Sequence, residues 1–418
     1  AEAGLLGHLI GDGCTLPRHC IQYTTREKDL AEIVVDLANR VFCDAIDPRI
    51  HPERSWYQVY LASAGHLTHG RRNPVAEWLD RLGIFGFLHG VSVAGEAFRA
   101  TGNEALLDQT AALRWVQQEI AAFGGDPANV TIAGESAGGT NVAALLGLPA
   151  ARGLFHKAVM QSTGAGGHHL PRERAAGIFA AILDAAGLTP ATAAHLREIS
   201  GEALLDLQTR VGMVNGGFGP VIDGDVMPRP VDEAIEAGET AGIPVIVGNV
   251  RDEMSVFGLM NPSLPALDRA GLLARADALT AGRGREAVEL YREAREERNL
   301  DGSPPALWTA MLTDHDFFAP AMRLAALQSE HAPSFAYLFA WPSPIAGGAF
   351  GSIHGIDLPF FWGLRNDPGL APLLGDLAAA APLSALVQDA LLAFMRTGDP
   401  ATDALSWPRY EPPRRATM

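Results

Sequence analysis

The sequence predicts an α/β fold: a central, mostly parallel sheet with helices on both faces. Three observations carry this. Residues 104–147 read as helix, strand, tight turn and helix in succession. Three further short apolar runs, at 157–161, 243–247 and 334–340, recur with helical stretches between them. The chain has 418 residues, 48% hydrophobic and only 19% charged, enough to bury a large core. Short buried strands separated by helices are the pattern of a parallel sheet with helices packed on it.

The elements follow in order. In the N-terminal part, 28–42 reads as a helix and Trp56–Leu61 as a strand. Leu106, Leu113, Val116, Ile120 and Phe123 then recur on one helical face. Gly124-Gly125 ends that helix, and Asp126-Pro127 turns the chain. Val130–Glu135 reads as a short buried strand, and Ala137, Gly138, Gly139 and Thr140 open a small-residue helix to about Leu146. The runs "KAVMQ" (157–161), "IPVIV" (243–247) and "SFAYLFA" (334–340) are strands bounded by turn residues. Stretches 172–210 and 264–330 are longer than a crossover needs and are expected as helical insertions over one end of the sheet. Leu383–Arg396 reads as a final helix. The expected organisation is one domain over 1–418, with 1–80 as a diverged or shortened N-terminal part.

Composition excludes several functions. The formal net charge is −16, Lys28 and Lys157 are the only lysines, and no basic run stands out. Nucleic acid is therefore not an expected partner. Cys14, Cys20 and Cys43 are an odd, sparse set rather than a disulfide framework. Cys14 and Cys20 flank His19, but ordinary loop or buried cysteines are the simpler reading. No CxxC pair or HExxH helix occurs, so no metal is expected. The start, Ala1-Glu2-Ala3, lacks the form of a signal peptide. No apolar run approaches the ~18 residues of a membrane span. The expectation is a soluble chain, cytoplasmic rather than secreted, of unknown oligomeric state.

The sharpest motif is "GESAGG" at 134–139. A serine hydroxyl is a poor nucleophile unless a base takes its proton. A tight strand-to-helix turn exposes the hydroxyl and holds it rigidly, and neighbours two residues away must be nearly free of side chain. Gly134 and Gly138 meet that need around Ser136, which is the G-x-S-x-G elbow. Glycine is common here, 45 residues of 418, so the pattern gains weight from its context of strand before and helix after. An orienting acid and a base should follow in chain order. The strand at 243–247 leads to Asp252 and Glu253, either of which can serve. Only His315, His331 and His354 follow these acids in the chain. The first two lie in helical surroundings, whereas His354 sits in the glycine-flanked loop "FGSIHGIDLPFF" beyond the strand at 334–340. The N–H of Ala137, at a helix N-terminus, is placed to meet a developing oxyanion.

At these residues the sequence resembles the carboxylesterase type B family, the cholinesterase-like branch of the α/β-hydrolases. The likeness runs through "RLGIFGFL" (81–88), "LLDQTAALRWVQQEIAAFGGDPANVTIAGESAGG" (106–139), "FHKAVMQSTGA" (155–165), "FGPVIDGDVMPRP" (218–230), "IPVIVGNVRDE" (243–253), "HGIDLPFFWG" (354–363) and the tail from Arg396. The resemblance implies Ser136 as nucleophile, Glu253 rather than Asp252 as acid, and His354 as base. It also implies a polar pair, Ser162 with Asp357, behind the histidine. The chain departs from the family in having no "HGGG" loop to supply oxyanion donors. The nearest stretch is "SAGHLTHG" (63–70), where Gly65 and His66 are the candidates; a competing alignment of "ERSWYQVY" (53–60) deletes the loop. "GLLGHLIGDG" (4–13) and "IQY" (21–23) faintly echo the family's start.

The function these residues imply is a cofactor-free serine carboxylic-ester hydrolase acting on a small-molecule ester through an acyl-enzyme. The alternative from another class is a binding protein that keeps the α/β-hydrolase fold with impaired chemistry. An amidase or lipase is a third. Trp308, Trp341, Phe350, Phe360 and Phe361 are candidates to line a pocket, with core packing as the plainer role.

Overall fold

The structure is a computed structural model and describes residues 21–25, 32, 35, 46–52, 57–63, 83–215, 217–363 and 368–418. Its strands, in chain order, are β1 (Ile21–Thr25), β2 (Ile46–Pro52), β3 (Tyr57–Ser63), β4 (Thr131–Glu135), β5 (Lys157–Gln161), β6 (Leu170–Pro171), β7 (Val221–Ile222), β8 (Val245–Val250) and β9 (Ser334–Phe339). The longer helices are α1 (Glu104–Glu119), α2 (Ala137–Gly147), α3 (Arg172–Ala185), α4 (Gly201–Asn215), α5 (Arg269–Leu279), α6 (Gly284–Glu296), α7 (Pro304–Thr313), α8 (Ala319–Ser329) and α9 (Leu377–Thr397). Two compact units emerge. One holds the described residues up to 128 with 148–154 and 170–229; the other holds 129–147, 155–169 and 230–418.

The first unit contains an antiparallel sheet of order β1-β3-β2. Strand β3 corresponds to the expected strand at 56–61. Of the expected helix 28–42, Glu32 and Val35 are helical and the rest lies outside the described residues, as do Cys14, Cys20 and Cys43. Helix α1 buries Leu106 and Leu113 and half-buries Val116, Ile120 and Phe123, the face that periodicity predicts. It tightens into a 3₁₀ turn and stops where Gly124 takes φ 79°, a left-handed conformation that glycine adopts without strain. The stretch at 172–210 is helical, as α3, a 3₁₀ segment and the start of α4. Its Ile178, Phe179, Ile182 and Leu196 form a core with Ile84 and Val221.

The second unit is organised by a parallel sheet of order β4-β5-β8-β9. Its register aligns Ala133, Val159, Ile246 and Phe335 in one row across the strands. Side chains alternate along each strand, so this row shares a face with Val250, Tyr337 and Phe339. That face packs beneath α9, where Phe394 meets Phe335 edge-on at 6.2 Å. Helices α2 and α8 pack on the same strands from the other side. Strand β8 starts at Val245 rather than Ile243, because Pro244 has no N–H to give the ladder. It runs on through Val250, paired with Phe339. Helix α9 begins at Leu377, earlier than periodicity shows, because Asp376 caps it by accepting from Ala378 N at 2.9 Å and Ala379 N at 3.2 Å. By length and composition α9 also suffices to cross a membrane. The expectation of no such stretch rested on unbroken apolar runs, and Gln388, Asp389 and Arg396 interrupt this one. Its Val387, Ala390, Leu391 and Phe394 are core residues here.

The proposed pocket aromatics are packing residues. Phe360 and Phe361 are buried in the core under α9, and Trp341 and Phe350 pack against it. Trp308 packs with the cluster of the second insertion, which forms α5 to α8.

Candidate active site

The site is built at the C-terminal ends of the parallel strands. Ser136 is the first residue after β4 and has φ 57°. A non-glycine residue in this region is strained, and such strain concentrates at functional turns. Two backbone bonds hold it: Ser136 N donates to Gln161 O at 2.9 Å, and Thr140 N donates to Ser136 O at 3.0 Å. The chain doubles back tightly enough that a Cβ on Gly134 would lie 2.4 Å from the Gly138 carbonyl carbon. A Cβ on Gly139 would lie 2.9 Å from Gln161 O. A Cβ on Gly138 would meet open space, so close approach constrains Gly134 and Gly139, not Gly138. Ala137 opens α2, where the first N–H groups have no helical acceptor.

The loops after β8 and β9 bring an acid and a histidine together. Glu253 is fully buried; its Oε1 accepts from Val250 N at 2.9 Å, and its Oε2 lies 2.5 Å from His354 Nδ1. Asp252 faces elsewhere. Its Oδ2 accepts from Arg251 Nε at 2.9 Å and from Ser352 N at 2.8 Å. Gly351 is required beside it, with φ 65° and room for no Cβ, which would sit 2.1 Å from Asp252 Oδ2. His315 bonds Asp316 at 2.6 Å and is exposed, and His331 lies near Gly238, so neither joins this cluster.

His354 Nε2 faces Glu135 Oε1 at 3.3 Å. Among the described residues, no hydrogen bond joins His354 to the Ser136 hydroxyl. Such bonds are often long before substrate arrives. Burial alone would lower the His354 pKa. The hydrogen bond with Glu253 and the charges of Glu135, Glu253 and Asp357 outweigh it, and the net shift is upward. Burial pushes the Glu135 carboxyl up to about 7, against the opposing pull of His354. The imidazole is flanked by Phe257 and Phe317, with ring centroids 5.1 and 5.2 Å away.

Beneath the histidine lies a polar row. Register aligns Glu135, Gln161, Gly248 and Tyr337 across the sheet. Gly248 is bare because the Tyr337 ring fills its place, 2.0 Å from where a Cβ would be. Asp357 accepts there, from Tyr337 OH at 2.6 Å and Gln161 Nε2 at 3.0 Å. Ser162 and Asp357 are both fully buried, but Ser162 Oγ and Asp357 Oδ1 have no hydrogen-bond partner, so the expected pair is not bonded. Gly65 and His66 lie outside the described residues.

Sequence reasoning missed Glu135, Gln161, Tyr337, Phe257 and Phe317. Glu135 and Gln161 had a readable signal, since each is a polar residue that ends a strand two positions beyond an apolar one, and Tyr337 stands two positions beyond Phe335 within β9. Phe257 and Phe317 had none, because nothing local ties an aromatic ring to a distant imidazole.

A parallel sheet with a strained serine turn after one strand, and an acid and a histidine on the loops after two later strands, defines the α/β-hydrolase class. Residues 80–418 match the carboxylesterase family, and the chain belongs to that family. It is a carboxylesterase by this membership. It is 36% identical over 349 residues to para-nitrobenzyl esterase of Bacillus subtilis (strain 168), across 81% of this chain and 67% of that protein. Among solved structures it resembles carboxylesterase EST55 of Geobacillus stearothermophilus, with TM-score 0.71 and 36% identity, over 79% of this chain and 68% of that one. The chain thus spans about two thirds of the length of these relatives. A different likeness covers an 86-residue stretch, 73% identical to the replicative DNA helicase DnaB of Nostoc sp.; it is 21% of this chain and 10% of the helicase.

Proposed function

We propose that Ser136, His354 and Glu253 form a catalytic triad that hydrolyses carboxylic esters through an acyl-enzyme. Ser136 Oγ attacks the ester carbonyl carbon while His354 Nε2 takes its proton. The tetrahedral oxyanion is met by the N–H of Ala137 at the start of α2. The C–O bond to the alcohol breaks as His354 returns the proton to the leaving oxygen. Water then attacks the acyl carbon and loses a proton to His354; the bond from that carbon to Ser136 Oγ breaks as His354 passes the proton to Oγ, and the carboxylic acid departs. Glu253 holds the imidazole tautomer and stabilises its charged form. Ser162 and Asp357 belong to the polar surroundings behind the histidine.

The observation that carries this reading is the buried Glu253 carboxylate 2.5 Å from His354 Nδ1, at the end of the sheet where Ser136 turns. The named activity of the para-nitrobenzyl esterase relative supports p-nitrophenyl and p-nitrobenzyl esters as test substrates. Turnover of p-nitrophenyl acetate and covalent labelling by a fluorophosphonate are expected, and both should vanish in Ser136→Ala. Turnover equal to the parent in that variant rules the assignment out.

The stretch shared with the helicase, we infer, includes the part that precedes residue 80 and runs a few residues past it. The carboxylesterase match leaves free 79 residues, close to the 86 of that likeness. Direct alignment of residues 1–79 with that helicase is expected to show the high identity; its absence there excludes the inference.

A further inference from the structure

Helices α7 and α8 are joined by one turn of π-helix, Asp314–Phe318, in which Ala319 N donates to Asp314 O. The sequence explains it. Pro320 sits at the start of α8, and in a continuous α-helix its ring would press on the carbonyl four residues back. A wider turn relieves that contact, and single π turns inside helices are often found at functional sites.

This turn touches both halves of the proposed acid–base pair. The hydroxyl of Thr313, just before it, accepts from Met254 N at 3.1 Å, beside the catalytic acid Glu253. Phe317 leans on the His354 ring at 5.2 Å and meets His168 edge-on at 5.8 Å. Asp314 anchors the turn to α6, accepting from Tyr291 OH at 2.5 Å. Phe257 covers His354 as well, but it comes from the acid's own loop.

Accepting the triad reading above, we infer that Phe317, presented by the π turn, is a positioning residue for His354. His354 Nε2 faces Glu135 in this structure, and proton transfer requires it aligned with the Ser136 hydroxyl, by whatever turn of the ring that takes. The two phenyl rings bound the imidazole, so the arc of that turn is short. Without the Phe317 ring the imidazole gains orientations in which Nε2 addresses neither the serine nor the leaving oxygen. Loss of alignment acts on the chemical step more than on substrate binding.

The test compares Phe317→Ala, Phe317→Leu and Phe317→Tyr in the full chain. The fluorophosphonate labelling rate, kcat and KM for p-nitrophenyl acetate, thermal midpoint and the downfield proton resonance of the His354–Glu253 hydrogen bond are measured. Phe317→Ala is expected to lower kcat and the labelling rate at least tenfold, with KM within threefold and the downfield resonance broadened. Phe317→Leu fills the volume without a ring and should stay slow, while Phe317→Tyr restores most of the rate. Equal labelling rates in parent and Phe317→Ala overturn the inference, as does a rate loss that follows the thermal midpoint across all three variants. A parent chain that is not labelled at Ser136 fails the triad reading itself, a distinct result that removes this inference with it.

Discussion

Asp252 and Ser352 clasp one another across two loops: Ser352 N donates to Asp252 Oδ2 at 2.8 Å, and Asp252 N donates to Ser352 O at 3.0 Å. Each partner stands next to a member of the acid–base pair, Glu253 on one loop and His354 two residues along the other. The clasp sets the distance between these two side chains. The neighbouring carboxylates therefore have separable roles. Glu253→Gln should leave the fold near its parent stability and reduce kcat by about 10⁴, the order seen when the orienting acid of a triad is neutralised. Asp252→Ala should cost about 1–3 kcal/mol through the unpaired Ser352 N–H. Urea titration and steady-state kinetics on both variants distinguish the roles; an Asp252→Ala variant as stable as the parent would show that the clasp holds nothing.

The two glycines of the motif should differ sharply. Gly134→Ala places a Cβ 2.4 Å from the Gly138 backbone, which has no room to retreat. A stability loss of several kcal/mol, or no soluble protein, is expected, in line with overpacked cores. Gly138→Ala meets open space and should fold with a thermal midpoint within a few degrees of the parent. Thermal denaturation of the pair checks this; equal damage in both would contradict the geometry.

Activity should fall on the acid side at a higher pH than an ordinary histidine dictates. The base must be neutral to accept a proton, and the carboxylates around His354 favour its charged form. A raised pKa moves the loss of activity upward, so the acid limb of kcat/KM should lie above ~6.5. Glu135→Gln removes one of those charges and should move the limb down. A pH profile unchanged by that substitution would dissociate Glu135 from the titration.

Glu135 also bears on stability. Its folded pKa is about 7, raised from an ordinary 4.5, so the fold prefers the protonated carboxyl. Below the ordinary value both folded and unfolded states hold the proton, and no cost arises. As pH climbs toward 7 the unfolded state releases it first, and stability is lost. The full difference corresponds to about 3 kcal/mol. Glu135→Gln should therefore be more stable than the parent at pH 8 and equal to it at pH 4. Denaturant midpoints at the two pH values measure this directly.

The sequence by itself determined the class of fold, the strands that carry it and the short list of reactive residues. Those signals are local: a helical period in α1, apolar runs for β4, β5, β8 and β9, glycines around Ser136, and a glycine-flanked His354. Local pattern left the acid open between Asp252 and Glu253, adjacent residues of one charge. It also read Glu135 as the end of a strand and Phe317 as part of a helix. Only the tertiary structure decided these, because register and loop pairing are contacts between distant stretches. Alignment across the sheet set Glu135, Gln161, Gly248 and Tyr337 in one row. The Asp252–Ser352 clasp turned Glu253 to the imidazole, and a proline-forced π turn carried Phe317 to the same ring.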